Sequence, residues 1–127
     1  MKKRFIILVL LFASSVVYGQ EGAAFKTAQQ LRDNLVVAIR VQDSPDSFKN
    51  PQPDILTTLE TSGYIMGCAD AFNSDERYRG LVRKGVSGNE LMRVVLKYLE
   101  AHPEKWRYNA PDEVFFAFAE AYHPQKK

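Results

Sequence analysis

Apolar side chains recur at helical spacing in four blocks of this chain, and no stretch alternates convincingly as a strand does. The first block predicts a helix over residues 23–40, with Phe25, Leu31, Leu35, Val36 and Ile39 on one stripe. Residues 41–53 then collect Asp43, Ser44, Pro45, Asp46, Ser47, Asn50, Pro51 and Pro53, which together read as a linker. A second helix is expected from Pro53-Asp54 to Phe72. Proline suits its first turn and Asp54 favours the positive end of the helix dipole. Its core stripe is read as Ile55, Leu59, Ile65, Cys68, Ala69 and Phe72.

Within that block, Gly63-Tyr64-Ile65-Met66-Gly67-Cys68-Ala69-Asp70 sets two glycines four residues apart on one helical face. A glycine inside a helix costs about 1 kcal/mol against alanine. Two of them predict a close crossing with another helix, and Asp70 on the same face is expected to pin that crossing. Residues 73–85 are polar and broken. Ser87-Gly88-Asn89-Glu90 then predicts a capping box, opening a third helix over 88–101 that is apolar around most of its circumference. Such a helix belongs at the centre of a core or is shared with a second subunit. His102 closes it, because Pro103 disfavours helix in the residue before it. Asn109 is the expected cap of a fourth helix, with Pro111, Asp112 and Glu113 in its first turn. Its buried face is read as Val114, Phe115, Phe118, Ala119 and Tyr122. The fold class is all-α, a small four-helix bundle-like domain.

Export changes the charge balance. Lys2, Lys3 and Arg4 precede an apolar run over 5–17, and Val17-Tyr18-Gly19 supplies small residues for cleavage. Residues 1–19 therefore read as a secretory signal peptide, too short to span a bilayer, and residues 20–127 as one exported, periplasmic domain with no stable membrane anchor. The whole chain carries 17 basic and 15 acidic side chains. Loss of the three leader cations leaves 14 against 15, a net charge of −1. Nucleic-acid binding loses its only whole-chain support.

Chemistry is sparse. The single Cys68 allows no internal disulfide, and its neighbours Ile65, Ala69 and Phe72 make it a small core hydrophobe rather than a nucleophile. The two histidines, His102 and His123, stand in no catalytic or zinc-binding motif, and no glycine-rich phosphate loop or cofactor motif occurs. Asp70, Asn73 and Asp75 lack the spacing of a calcium loop. What remains is recognition. Asp75-Glu76-Arg77-Tyr78-Arg79, followed by Arg83 and Lys84, packs acids, bases and an aromatic between two helices. Trp106 and Tyr108 occupy another connector, and arginine and aromatics are favoured interface anchors.

Four pieces in order resemble the Rap/Tai immunity proteins: Gly63 to Asp70, Gly85 to Ser87, Val94 to Glu104, and the aromatic-rich Ala110 to Tyr122. The resemblance covers about half of the chain, and Tyr64, Gly67, His102 and Pro103 fall within its pieces, while Glu90 is structural as the capping-box partner of Ser87. It implies a periplasmic, all-helical, often dimeric protein that binds a peptidoglycan amidase effector delivered by type VI secretion. Such a protein occludes the effector's cleft and has no catalysis of its own. Cysteines usual in that family are replaced here by Thr61 and Leu81, and the first helix and tail carry none. A housekeeping interaction or chaperone-like module on the same scaffold is the alternative, and a small hydrolase using Asp70 or His102 is a third.

Overall fold

The computed structural model describes residues 25–123, so the leader expected over 1–19 lies outside the described residues. Four helices make the domain: α1 (Ala28–Asp43), α2 (Gln52–Ser74), α3 (Gly88–Ala101) and α4 (Ala110–Tyr122). Short 3-10 turns at Ser47–Lys49, Glu76–Tyr78 and Pro103–Lys105 fill the connections. Among the described residues there is no strand, only one isolated bridge between Thr27 and Asn109.

Local chemistry explains the helix ends. α1 starts later than expected, because Thr27 and Gln30 form a reciprocal capping box: Gln30 N–H donates to Thr27 Oγ1 at 3.3 Å, and the Gln30 side chain accepts from Thr27 N–H. Phe25 is buried all the same, edge-on to Tyr64 with ring centroids 4.9 Å apart. The expected box at Ser87 is half-formed. Ser87 Oγ accepts from Glu90 N–H at 3.2 Å, but the Glu90 carboxylate turns to Arg83 at 3.6 Å. His102 ends α3, and Pro103 opens the 3-10 turn after it.

The connector between α3 and α4 is held by α1. Ala28 and Gln29 N–H groups, unpaired within their own helix, donate to the carbonyls of Tyr108 and Trp106 at 2.9 Å each. Trp106 Nε1 donates to the Leu99 carbonyl at 2.7 Å, which also accepts from the capping His102 N–H at 3.2 Å, while Arg32 lies over the indole at 5.0 Å. One connector thus ties three helices.

The core gathers Leu31, Leu35, Ile65, Met92, Val95, Leu99, Val114 and Phe118, all fully buried. Each of the four helices touches the other three, and the tightest pairing is α1 with α2. The inward stripe of α2 corrects the sequence reading. It runs Thr58, Thr61, Ile65 and Ala69, with Cys68 and Phe72 half-buried, while Leu59 faces solvent. Thr58 and Thr61 enter the core because their hydroxyls donate to the carbonyls of Asp54 and Thr57, at 2.7 and 2.6 Å. On α1, Val36 is exposed and Ala38 takes the buried place.

The Gly63–Gly67 face is corrected too. Both glycines are exposed, and a Cβ built on either meets nothing within 4 Å, so among the described residues no helix crosses there. Asp70 shares that outer face, with no side-chain hydrogen bond or ion pair among the described residues, and pins nothing. The close approach occurs at Gly88, where a Cβ would stand 2.9 Å from Met66 Sδ. Glycine serves backbone geometry at Gly80 and Gly85, each with φ of +81°.

Candidate partner-binding face

The segment between α2 and α3 is anchored at both ends. Asp75 caps α2 and clasps Arg77, accepting from its backbone N–H at 2.9 Å and from its guanidinium at 3.1 and 2.7 Å. These bonds hold the Asp75 carboxyl down at a pKa of about 2. Further along, Leu81 and Val82 are buried, and the Asn73 amide grips Val82 through its N–H at 3.1 Å and its carbonyl at 3.3 Å. The charged run is therefore a fixed structure between two anchors.

From these anchors the segment reaches α4. Tyr78 meets Phe115 edge-to-face at 4.8 Å, Arg77 lies over the Tyr78 ring at 5.1 Å, and His123 Nε2 donates to the Gly80 carbonyl at 3.0 Å. Phe72 backs Phe115 at 5.3 Å and Phe118 at 6.4 Å, continuing the rings into the core. Phe116, which falls outside the predicted buried stripe, is 49% exposed on the outer side of α4. It forms a ridge between two open hollows. One, of about 420 Å³, is lined by Phe72, Tyr78, Pro111, Asp112 and Phe115; the other, of about 510 Å³, by Tyr98, His102, Lys105, Ala119, Glu120 and His123.

The floor beneath holds an acid that sequence reasoning missed. Glu113 is only 2% exposed and accepts from the Tyr98 hydroxyl at 2.9 Å. Burial, with the Glu113 carboxylate beside it, pushes the Tyr98 phenol far above its ordinary range. The His102 ring lies tilted against Tyr98, with centroids 4.5 Å apart, and stands between Glu104 at 3.2 Å and Glu120 at 3.6 Å. A sequence signal existed for the acid, a carboxylate in the first turn of α4, but it reads as a dipole partner and not as a core residue.

The expected recognition residues divide. Tyr78, with Arg77 over its ring, reaches the α4 face, where Lys105, which the sequence reading did not single out, also lines a hollow. Tyr108 is exposed between Lys105 and Arg107, 5.4 and 5.1 Å from its ring, and the hydrogen bond from Arg107 lowers its pKa. Glu76, Arg79 and Lys84 are exposed, and Arg83 is turned to Glu90. Trp106 points inward as the clamp already described. Cys68 is half-buried, and burial pushes its thiol up, away from nucleophilic chemistry. Tyr64 beside it is raised as well, chiefly by burial.

Among the described residues no three of histidine, cysteine, aspartate and glutamate cluster to hold a metal ion, and no helix is long and apolar enough to cross a membrane. The face offers aromatic area, fixed charges and shallow hollows, the equipment of a protein interface. No curated protein and no solved structure matches the chain. A family model described as Rap1a immunity proteins matches residues 27–123, the span that holds all four helices, and the chain belongs to that family.

Proposed function

We propose that this chain is a periplasmic immunity protein that binds and blocks a peptidoglycan amidase effector delivered by type VI secretion, without catalysis of its own. The contact surface is the α4 face, with Phe116 as its central anchor. The exposed Phe116 ridge carries the reading. It sits between two hollows and beside a loop whose geometry is fixed before any partner arrives. Preordering lowers the entropic cost of association, and aromatic anchors at the centre of a patch carry most interface energy. Exposed Tyr78 and Tyr108, each beside an arginine, supply the amphipathic rim.

The test pairs this chain with the amidase effectors of its own genome. Periplasmic co-expression should prevent lysis by one of them, and the purified protein should stop that enzyme cleaving peptidoglycan. Phe116→Asp should abolish protection while leaving the helical spectrum and melting curve unchanged. Lysis in the presence of every such effector would sink the proposal, and a genome without type VI secretion genes would favour a housekeeping interaction module.

A further inference from the structure

A second surface lies on the outer side of α2, away from the α4 face. Leu56, Leu59, Gly63, Met66 and Asp70 recur there at spacings of three and four, all exposed, as on the seam of a two-helix pair. Phe48, 88% exposed, extends the patch across a hollow of about 420 Å³ shared with Leu59, itself 65% exposed. Monomeric proteins rarely leave so continuous an apolar strip in water unless something binds there. Gly63 and Gly67 strengthen the case, since each weakens α2 and no neighbour among the described residues uses the space it leaves.

Charge indicates what fits. The strip carries Glu60 and Asp70 and no basic side chain, and their separation of ten positions sets the carboxylates about 15 Å apart along the axis. A second copy lying parallel would face Glu60 with Glu60 and Asp70 with Asp70. Lying antiparallel about Gly63, it would set Asp70 on Leu56 and Glu60 on Met66. Neither arrangement gives these acids a cation from α2. Of the nearby bases, Arg83 is paired with Glu90 and Lys49 with Asp46, leaving Lys84 beside the hollow that holds Met66 and Asp70.

We propose that the outer face of α2 docks an amphipathic helix of a different protein. That helix presents a small and apolar stripe to Leu56, Leu59 and Met66, approaches closely over Gly63 and Gly67, and carries two basic residues for Glu60 and Asp70. The surface is separate from the α4 face and does not depend on the function proposed for it.

The probe is a synthetic helical peptide with an alanine and leucine stripe and two lysines ten residues apart; its control carries glutamates in their place. Titrated into the isotope-labelled protein, the lysine peptide should shift amides of α2 and of Phe48, and bind at least tenfold more tightly than the control. Glu60→Lys with Asp70→Lys should reverse that preference. Gly63→Ala with Gly67→Ala should raise the melting temperature yet weaken the lysine peptide about tenfold. Phe116→Asp should leave peptide binding untouched, so failure here and failure of the α4 reading are distinguishable. Equal binding of both peptides, or of neither, overturns the proposal. So does a protein that sediments as a dimer and is returned to monomer by Leu59→Glu, because a second copy would then cover the face.

Discussion

The outer surfaces of α2 and α4 both expose large apolar side chains, yet the chain supports them differently. Over α4, the segment from Asp75 to Val82 is pinned by the Asn73 amide and by burial of Leu81 and Val82, so that Tyr78 stands against Phe115. Phe115 in turn leans on Phe72, and Phe72 on fully buried Phe118. Among the described residues the outer face of α2 has no such cover, and its glycines leave open space. One surface is a built platform whose side chains are held from behind. The other is a bare helix whose binding capacity resides in its own residues. Truncating the side chains that back the first should cost stability, whereas truncating an exposed apolar side chain on the second should not.

The largest break in that contrast is Phe118→Ala. It removes the ring that links the platform to the core and should cost about 3–5 kcal/mol, a large part of the stability of a domain this size. Leu59→Ala on the bare face should stay within about 0.5 kcal/mol in the same urea titration. Next comes Glu113→Ala, which leaves the buried Tyr98 hydroxyl without its acceptor and should cost about 1–3 kcal/mol. Glu113→Gln keeps an acceptor and should recover part of that loss. Equal melting curves for alanine and glutamine would show that the bond contributes nothing.

Glycines sharpen the comparison because their signs differ. Gly80→Ala forces a side chain into the left-handed region at φ of +81° and should destabilise by about 1–2 kcal/mol, loosening the Tyr78 segment with it. Gly63→Ala, on a regular helix with open space around it, should stabilise by up to about 1 kcal/mol. Chemical denaturation of the two variants decides the matter. A stabilised Gly80→Ala would mean that the platform is not held in the conformation described.

The four helices were legible because their signals are local. Asn109 and Pro111 mark the start of α4, Ser87 that of α3, and Pro103 its end, with α3 bounds over Gly88–Ala101 agreeing residue for residue. The inward face of α2 was not legible, because Leu56, Leu59 and Met66 lie opposite Thr61, Ile65 and Ala69, and periodicity alone cannot choose between two such stripes. Self-bonded threonines tipped the choice, a tertiary outcome that no apolar count contains. The same limit hid Glu113 and Phe116, an acid turned inward and an aromatic turned outward. Composition did find the loop around Arg77, but the anchoring that makes it a platform depends on Asn73 meeting Val82 nine residues away.

The smallest expected effect separates the two sides of the α3–α4 connector by pH. Tyr98 and Tyr108 flank the same turn, and an ordinary tyrosine has a pKa of 10.0. Burial and Glu113 raise Tyr98, whereas the hydrogen bond from Arg107 lowers Tyr108. In an alkaline titration followed by ring-carbon shifts, Tyr108 should ionise before Tyr98. The link to stability has opposite signs. A raised pKa means that the folded state keeps its proton after the unfolded chain has lost it. The contribution of Tyr98 is therefore complete below pH 10 and declines as pH rises beyond it. Tyr108, ionising earlier in the folded state, gains as pH rises toward 10 and holds that gain beyond it, but its exposure to solvent keeps the gain small. Removing the phenol by Tyr98→Phe should flatten the alkaline loss of stability without altering the Tyr108 midpoint. Coincident midpoints for the two tyrosines in the intact protein would contradict the burial of Tyr98 against Glu113, and with it the floor on which the α4 platform rests.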